Sequence, residues 1–522
     1  MISQLLKWQE ECLKLWEANQ YRGIVNAVTG SGKTVLALSA AKLLFDADDS
    51  RPLKVKIVVP KIFLTYQWHG AICDFLNVPR SDIGFYFGTS KTQPHRKFMI
   101  YVINSARYSL ARHITEDISK GDRVLLVADE CHHYGAKENS KIFDFIDYVP
   151  KGAPYYTIGL SATPYSKKYN EILVPSLGKE IYEYTFAKAL TEDVISKFSV
   201  FNISVDFDKD EAEEYEELTD KLKVAMSRLK SSCPVLHLAS GDEFFAILED
   251  IINTADSQTA ELARIVLTLI YLRKELVYLA RYRIDCVLDI VRRASKADKI
   301  LIFSERIETA ETIYGKLASA CPGEAGIYHS EIPPDVRKNT LRRFEDCETR
   351  ILVSCKTLDE GLNITEVDVG IVVSSTGSRR QRIQRLGRVL RKKQNGRAAR
   401  VYYLFVRSAS EDRGLLSEMA GSSTSGQMNV VNLSYDEKSR EFVNAAYQEL
   451  VRSVVYDMTK KGCRDELTSE FLRNAELGLL SGDWLISESE CLEKLKSAPS
   501  KSERNYYVAM LLLVRKRSSN TF

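Results

Sequence analysis

A glycine-rich turn near the start of this chain constrains its fold more strongly than any other feature. Residues 27–34 read Ala-Val-Thr-Gly-Ser-Gly-Lys-Thr and directly follow the apolar run 23–26. A buried strand that breaks into such a turn lets successive backbone N–H groups surround a polyphosphate, as in a phosphate-binding loop. The strict pattern has glycine where Ala27 stands, so the match depends on the later residues Gly30, Gly32, Lys33 and Thr34. The turn therefore predicts a nucleotide site in a parallel α/β domain.

The polar residues of this loop have distinct expected roles. Lys33 is expected to reach the β- and γ-phosphates of ATP, and the Thr34 hydroxyl is expected to ligate Mg²⁺. A glycine-rich loop alone is also compatible with an ordinary turn. We favour a site for the cofactors ATP and Mg²⁺ because further motifs of an ATP-driven motor follow downstream in order. The loop residues assigned to the nucleotide are Thr29, Gly30, Ser31, Gly32, Lys33 and Thr34.

The size and composition of the chain indicate several soluble domains. At 522 residues it exceeds one domain, and its apolar content of 45% and charged content of 27% are ordinary for globular proteins. The formal net charge of +3 does not by itself indicate a nucleic-acid partner. There is no apolar run of the ~18–20 residues that a membrane span requires, no secretory pattern at the start, and no Cys-x-x-Cys pair among ten scattered cysteines. We therefore expect a cytoplasmic protein without a membrane partner.

Two parts of the chain alternate apolar β-rich runs with helix-sized stretches, which predicts parallel sheets covered on both faces. The predicted strands are 23–27, 55–59, 99–103, 124–128 and 156–160 in the first part, and 299–303, 350–353, 369–373 and 400–405 in the second. Between them, an acidic segment and apolar residues at helical spacing predict a helical insertion without strands. The predicted domains are an ATP-binding lobe 1–203, an acidic and helical insertion 204–295, a second lobe 296–410 and a helical accessory region 411–522.

A pair of carboxylates at the end of one predicted strand supplies the main catalytic candidates. The run 124–128 leads into Asp129-Glu130-Cys131-His132, and ligands bind at the carboxyl ends of strands in open parallel sheets. Asp129 is expected to hold Mg²⁺ and Glu130 to polarise the attacking water. An exposed acidic strand end is the alternative, which we disfavour because a phosphate loop precedes the pair. We expect His132 to couple this site to the next motif rather than to bind a metal.

A second strand end carries Ser161-Ala162-Thr163-Pro164. Small hydroxylated residues at such a position can relay the state of the γ-phosphate to a neighbouring lobe through hydrogen bonds. We therefore assign Ser161 and Thr163, together with His132, to coupling.

The most basic segment is 376–400, which holds ten Lys and Arg residues and no acidic residue. Within it, Arg388 and Arg391 lie about one helical turn apart, so their guanidinium groups can clamp a transferring phosphoryl group. A solvated basic helix and a patch that binds the phosphate backbone are the alternatives. The catalytic residues that we predict are Lys33, Glu130, Gln384, Arg388 and Arg391.

The motifs between Gln9 and Arg391 resemble those of superfamily 2 helicases and translocases of the DEAD/DEAH-box type. The resemblance implies two RecA-like P-loop NTPase lobes, each a parallel sheet flanked by helices, with a helical insertion and a mostly helical C-terminal region. It also implies that Gln9 reads the adenine edge and that Gly361 and Asn363 take part in binding ATP. The residues implied to contact nucleic acid are Pro60, Gln67, Asn104, Ser105, Ser304 and Thr357.

Within this superfamily the likeness is greatest to XPB-like, RadD-like and restriction-motor ATPases. The segments 177–184, 358–361 and 384–391 favour these groups over DEAD-box RNA helicases, and Asp-Glu-Cys-His replaces the more usual Asp-Glu-Ala-His. The resemblance implies an ATP-dependent DNA helicase or translocase that acts on duplex or branched DNA or on single strands, in DNA repair or antiviral defence, together with protein partners. The alternatives are an RNA helicase and an ATP-gated nucleic-acid-binding switch in a larger defence complex.

Overall fold

Two parallel sheets form the framework of the chain. The computed structural model describes residues 5–47, 49–144, 146–150, 152–166, 168–194, 198–239, 241–355, 367–374, 398–412 and 429–519. These residues form two compact units, 5–194 and 198–519, and each unit holds an eight-stranded sheet flanked by helices. The predicted fold class of two RecA-like lobes is therefore confirmed.

The sheet of the first unit has the strand order β4-β3-β5-β2-β6-β7-β1-β8, and its pairs are parallel except for the edge pair β3–β4. Its strands are β1 Arg22–Ala27, β2 Leu53–Val59, β3 Ile83–Phe87, β4 Ser90–Lys91, β5 Phe98–Val102, β6 Arg123–Asp129, β7 Tyr155–Ser161 and β8 Glu180–Tyr184. Its α-helices are α1 Lys7–Ala18, α2 Lys33–Asp46, α3 Ile62–Leu76, α4 Ile103–Ser119, α5 Val174–Leu177 and α6 Phe186–Thr191.

The continuous apolar runs form strands that are buried on both faces of this sheet. Successive side chains of a strand point to opposite faces, so a strand covered on both sides needs apolar residues throughout. In β6, Leu125 and Val127 pack in one core cluster with Trp68 of α3. Val124 packs in the other cluster with Leu110 of α4. Helices α3 and α4 therefore cover opposite faces of the sheet. The carboxyl ends of its parallel strands lie together along one edge.

The sheet of the second unit has the order β11-β12-β10-β13-β14-β9-β15-β16, parallel except for the hairpin β15–β16. Its strands are β9 Phe198–Val205, β10 Ile300–Ser304, β11 Ala325–Tyr328, β12 Ile351–Cys355, β13 Val369–Val372, β14 Ala399–Val406, β15 Asn429–Asp436 and β16 Glu441–Val443. Its α-helices are α7 Lys209–Ser232, α8 Gly241–Thr254, α9 Ser257–Leu279, α10 Arg281–Arg293, α11 Ile307–Ala320, α12 Pro334–Glu345, α13 Ala445–Lys460, α14 Asp465–Gly478, α15 Glu488–Ser497 and α16 Lys501–Ser519.

Strand β9 corrects the domain boundary predicted at residue 203. The strand begins at Phe198 and pairs along its length with β14, so the second unit begins at residue 198 rather than after residue 203. Ser199, Asn202 and Ser204 interrupt its apolar pattern, and they are buried because the strand is interior to the sheet. Asn202 Nδ2 donates to Oδ1 of Asn432 on β15 at 3.1 Å. This partner lies 230 residues away in the chain, so the pairing has no local sequence signal.

The predicted insertion 204–295 is helical but divides between two cores of the second unit. Helices α7–α9 share their own cluster, which includes Leu229, Leu248 and Val266. In contrast, Cys286 and Ile290 of α10 pack in the main cluster beneath the sheet. Helix α10 is therefore a covering helix of the sheet rather than part of a separate insertion.

The region predicted as helical from residue 411 also contains strands. Its first described elements after residue 412 are β15 and β16, which extend the second sheet before helices α13–α16 begin. Among the described residues, no helix has both the length and the apolar character needed to cross a membrane.

Candidate nucleotide site

The predicted phosphate loop connects β1 to α2 and requires its two glycines. Gly30 has φ 87° and Gly32 has φ 93°, both in the left-handed region that glycine adopts at low cost. Helix α2 begins directly after Gly32, at Lys33. The first N–H groups of a helix lack partners within the helix and carry partial positive charge, so this end of α2 suits an anionic ligand.

Polar groups of the loop are arranged around its backbone. Lys33 Nζ donates to Ala27 O at 2.9 Å, and Ser31 Oγ donates to Val28 O at 2.7 Å. The Thr29 hydroxyl is buried and has no hydrogen-bond partner among the described residues. A positively charged helix start, a lysine and an unsatisfied hydroxyl together fit a polyphosphate.

The predicted adenine residue, Gln9, contacts the loop directly. Its side chain is only 2% exposed, and its Nε2 donates to Gly32 O at 3.0 Å. Its Oε1 accepts from Leu6 N at 2.9 Å, which fixes the amide orientation at the start of α1. A Cβ atom on Gly32 would lie 2.7 Å from Gln9 Nε2, so only glycine accommodates this contact without displacing the glutamine.

The carboxylate pair lies at the carboxyl end of β6, as predicted. Asp129 is the last residue of β6, and Glu130 follows with φ 48°. Asp129 Oδ2 accepts from Trp68 Nε1 at 2.9 Å, and Asp129 Oδ1 accepts from Glu130 N at 3.1 Å. Burial raises the pKa of Asp129, while the Trp68 hydrogen bond and the charge of Lys33 act in the opposite direction. The positive charge of Lys33 therefore acts on this carboxylate, which links the loop electrostatically to the end of β6.

The predicted coupling residues form a chain of contacts between two strand ends. His132 Nδ1 lies 3.4 Å from Glu130 Oε2 and 2.9 Å from Ser161 Oγ. Ser161, at the end of β7, accepts a hydrogen bond from Thr163 N at 3.0 Å. The contacts connect Glu130 to the loop that follows β7.

Two residues of the site have contacts that sequence patterns do not reveal. The Trp68 indole donates to Asp129, and the Tyr134 hydroxyl lies 2.6 Å from Asp129 O and 2.9 Å from Val58 O. Trp68 follows Gln67 in a motif that resembles a nucleic-acid contact, which gives no indication that its ring turns inward. The sequence shows only that a Trp and a Tyr residue lie close to motif residues. Whether their side chains point towards the site depends on tertiary packing.

Four of the predicted nucleic-acid residues lie near the carboxyl ends of β2 and β5, which are neighbours in the sheet. Pro60 follows β2, and Gln67 is exposed on α3. Asn104 is exposed and Ser105 is partly buried in the first turn of α4. Pro60 and the first turn of α4 lie at the sheet edge that carries the loop and Asp129, whereas Gln67 lies in the second turn of α3.

The remaining predicted residues include one that is buried and several outside the described residues. Ser304 ends β10, is fully buried, and exchanges hydrogen bonds with the backbone of Arg306 at 3.0 and 3.2 Å. Its predicted contact with nucleic acid finds no support in this geometry. The predicted residues that lie outside the described part of the chain are Thr357, Gly361, Asn363, Gln384, Arg388 and Arg391.

Comparisons with known proteins match both units. A family model described as the res subunit of type III restriction enzymes matches residues 2–166, and one described as the helicase conserved C-terminal domain matches residues 282–393. The DNA 3'-5' translocase XPB2 of Sulfurisphaera tokodaii is 25% identical over 390 residues, which cover 75% of this chain and 79% of that protein. A putative ATP-dependent RNA helicase of Methanocaldococcus jannaschii is 23% identical over 449 residues, 74% of this chain and 56% of that protein.

A solved structure supports the fold. The ATP-dependent type ISP restriction-modification enzyme LlaBIII, bound to DNA, is similar with a TM-score of 0.52 and 13% identity, over 99% of this chain and 41% of that one. At this identity the likeness concerns the fold alone.

A parallel sheet with a phosphate loop after β1 and an Asp-Glu pair after β6 defines a P-loop NTPase. The two matched family models and the two-sheet architecture specify the class further. Both matched domains are consistent with a superfamily 2 helicase or translocase, and the chain is an ATP-hydrolysing enzyme with helicase-family domains.

Proposed function

We propose that this chain is an ATP-dependent DNA helicase or translocase that couples hydrolysis to movement on DNA or to its remodelling. The proposal rests on the contacts from Glu130 through His132 to Ser161. They connect the end of β6, which carries the catalytic candidate Glu130, to the end of β7. The relative named as a DNA translocase, 79% of whose length is covered, supports DNA as the substrate. We place the activity in the cytoplasm, in DNA repair or antiviral defence, and in a complex with protein partners.

The proposed ATP site assigns a role to each residue at the sheet edge. Lys33 would leave the Ala27 carbonyl to meet the β- and γ-phosphates, and the loop N–H groups would surround them. The Thr34 hydroxyl and the Asp129 carboxylate are oxygen ligands of the kind that Mg²⁺ prefers. When bound, Mg²⁺ neutralises charge on the phosphate oxygens. Glu130 would orient the attacking water.

The basic segment completes the proposal. Arg388 and Arg391, with Gln384, would supply the groups that stabilise the transferring phosphoryl group. Loss of one such arginine typically costs ~10³–10⁵ in turnover. We assign the role of the second lobe to the 198–519 unit, which contains residues 282–355 of the helicase C-terminal match.

A variant of the loop lysine tests hydrolysis at this site. We expect Lys33→Ala to abolish ATP hydrolysis and to leave folding intact, because Lys33 is partly exposed and contacts loop carbonyls rather than the core. Lys120→Ala is the matched control, since Lys120 is an exposed lysine at the end of α4, far along the chain from the loop. Hydrolysis at the wild-type rate by the Lys33 variant would contradict the assigned site. Arg391→Ala is expected to show the same loss.

The relative named as an RNA helicase makes RNA the second candidate substrate. ATP hydrolysis should be measured with duplex DNA, single-stranded DNA and RNA of matched length. Stimulation by DNA above that by RNA is expected, and the reverse order would favour an RNA helicase. Strand displacement should be measured in parallel. Stimulated hydrolysis without displacement or translocation would favour an ATP-gated switch.

A further inference from the structure

A buried tryptophan contacts the carboxylate that the site offers to Mg²⁺. Trp68 of α3 is 2% exposed, and its Nε1 donates to Asp129 Oδ2 at 2.9 Å. The other carboxylate oxygen accepts from Glu130 N at 3.1 Å. Among the described residues, each oxygen of Asp129 thus has one donor, and a carboxylate oxygen can accept a further contact. The two donors fix the plane of the carboxylate and leave lone pairs for a cation.

The indole is well suited to hold a carboxylate in one orientation. Its N–H is a donor only and does not titrate, so the direction of this hydrogen bond cannot reverse. The Trp68 ring packs in the same core cluster as Leu64 and Ile72 of α3 and Leu125 and Val127 of β6. A ring held by close packing retains one rotamer. The position of the N–H is therefore set by the core rather than by the ligand.

We propose that Trp68 is a positioning residue that holds the Asp129 carboxylate in the orientation that Mg²⁺ requires. Carboxylates that ligate metals are oriented by hydrogen bonds from surrounding residues, and loss of such a partner typically costs ~10–100-fold in metal affinity or activity. This inference rests on the proposed ATP site, and it concerns metal-dependent nucleotide binding rather than hydrolysis.

Trp68 could also matter only because it packs in the core. A second tryptophan, Trp16, provides a control that distinguishes core packing from positioning of Asp129. Trp16 of α1 is fully buried in the same cluster, and its Nε1 donates to the Thr157 carbonyl at 2.8 Å. Trp16→Phe therefore removes a buried indole hydrogen bond and part of a ring, as Trp68→Phe does. Only the Trp68 partner is an expected metal ligand. Both variants remove a buried indole hydrogen bond from the same core cluster, and only Trp68→Phe removes one to the Asp129 carboxylate.

The experiment measures binding of a fluorescent ADP analogue to the full chain, with EDTA and across a Mg²⁺ titration. We expect Trp68→Phe to raise the Mg²⁺ concentration of half-maximal effect ~10–100-fold, with unchanged affinity in EDTA. Trp16→Phe should behave as the wild type in both. A Trp68→Phe midpoint within about twofold of the wild type would overturn the proposal, as would an equal loss of affinity in EDTA.

The Asp129→Asn background supplies a second measurement. If Trp68 acts through Asp129, adding Trp68→Phe to Asp129→Asn should not weaken nucleotide binding at high Mg²⁺ further. Losses that add fully would assign Trp68 to packing and reject the inference. A wild-type chain whose nucleotide binding does not respond to Mg²⁺ would instead reject the proposed ATP site. The two failures are therefore distinguishable.

Discussion

Gly32 combines a backbone requirement and a packing requirement at a single residue. Its φ of 93° favours glycine, and its missing side chain leaves room for the amide of Gln9. The motif pattern predicts a glycine here because of the turn. The contact with Gln9, 23 residues earlier in the chain, gives the same glycine a second role. The loop and the start of α1 are therefore linked through one hydrogen bond.

We predict that Gly32→Ala impairs nucleotide binding by more than its backbone strain explains. The new Cβ atom would displace Gln9 Nε2, which lies 2.7 Å from its position. Gly121→Ala is the control, because Gly121 has φ 87° and no atom within 4 Å of an added Cβ. Both variants should lose about 1–2 kcal/mol of stability from the left-handed backbone. Only Gly32→Ala should lose affinity for the fluorescent ADP analogue, and equal affinities in the two variants would contradict this account.

Helix α10 illustrates how one element is anchored by a buried charge. Arg283 is fully buried, and its Nε donates to Val277 O at 2.9 Å while its Nη1 donates to Leu404 O at 2.8 Å. Its Nη1 also donates to Val373 O, just beyond the end of β13. The arginine thus ties the end of α9 and the start of α10 to β14 and the segment after β13. One buried guanidinium therefore donates to three backbone carbonyl groups from different elements.

We predict that Arg283→Met destabilises the chain by about 3 kcal/mol or more, since each buried carbonyl left without a donor costs ~1–3 kcal/mol. Arg281→Met on the same helix is the control. Arg281 is 67% exposed and pairs with Asp208, and exposed ion pairs contribute ~0–1 kcal/mol. Urea denaturation followed by circular dichroism measures both effects. Similar unfolding midpoints for the two variants would show that the Arg283 contacts contribute little.

At the scale of the whole molecule, net charge gives little indication of an anionic partner. The formal charge of +3 over 522 residues is small, whereas the segment 376–400 alone holds ten basic residues. Binding to a polyanion would therefore depend on local basic surfaces. Such binding releases counterions from the nucleic acid and becomes weaker as salt rises.

We predict that the DNA concentration for half-maximal stimulation of ATP hydrolysis rises steeply with salt. A protein that makes about 6–10 phosphate contacts loses ~10³–10⁵ in affinity between ~50 and ~200 mM salt. Hydrolysis without DNA, measured over the same range, is the control and should change far less. A half-stimulating concentration that does not depend on salt would argue against binding through the phosphate backbone.

Local sequence patterns predict those parts of the site that depend on residues adjacent in the sequence. The loop glycines, Lys33 and the Asp129-Glu130 pair follow buried strands, so their position at the sheet edge follows from strand direction. Sequence does not predict the inward direction of Trp68, whose partner Asp129 lies 61 residues further along the chain. It also does not reveal that the Ser304 hydroxyl is used within its own turn.

The sequence by itself determined the class of fold and the order of the motifs, because continuous apolar runs and glycine-rich turns act over a few residues. Only the tertiary structure decided which unit contains β9, since its partners in β14 and β15 follow about 200 or more residues later and polar residues interrupt its pattern. The contacts Gln9–Gly32, Trp68–Asp129 and His132–Ser161 were decided in the same way. Each joins residues that are distant in the chain, and packing of the sheet and its helices brings them together.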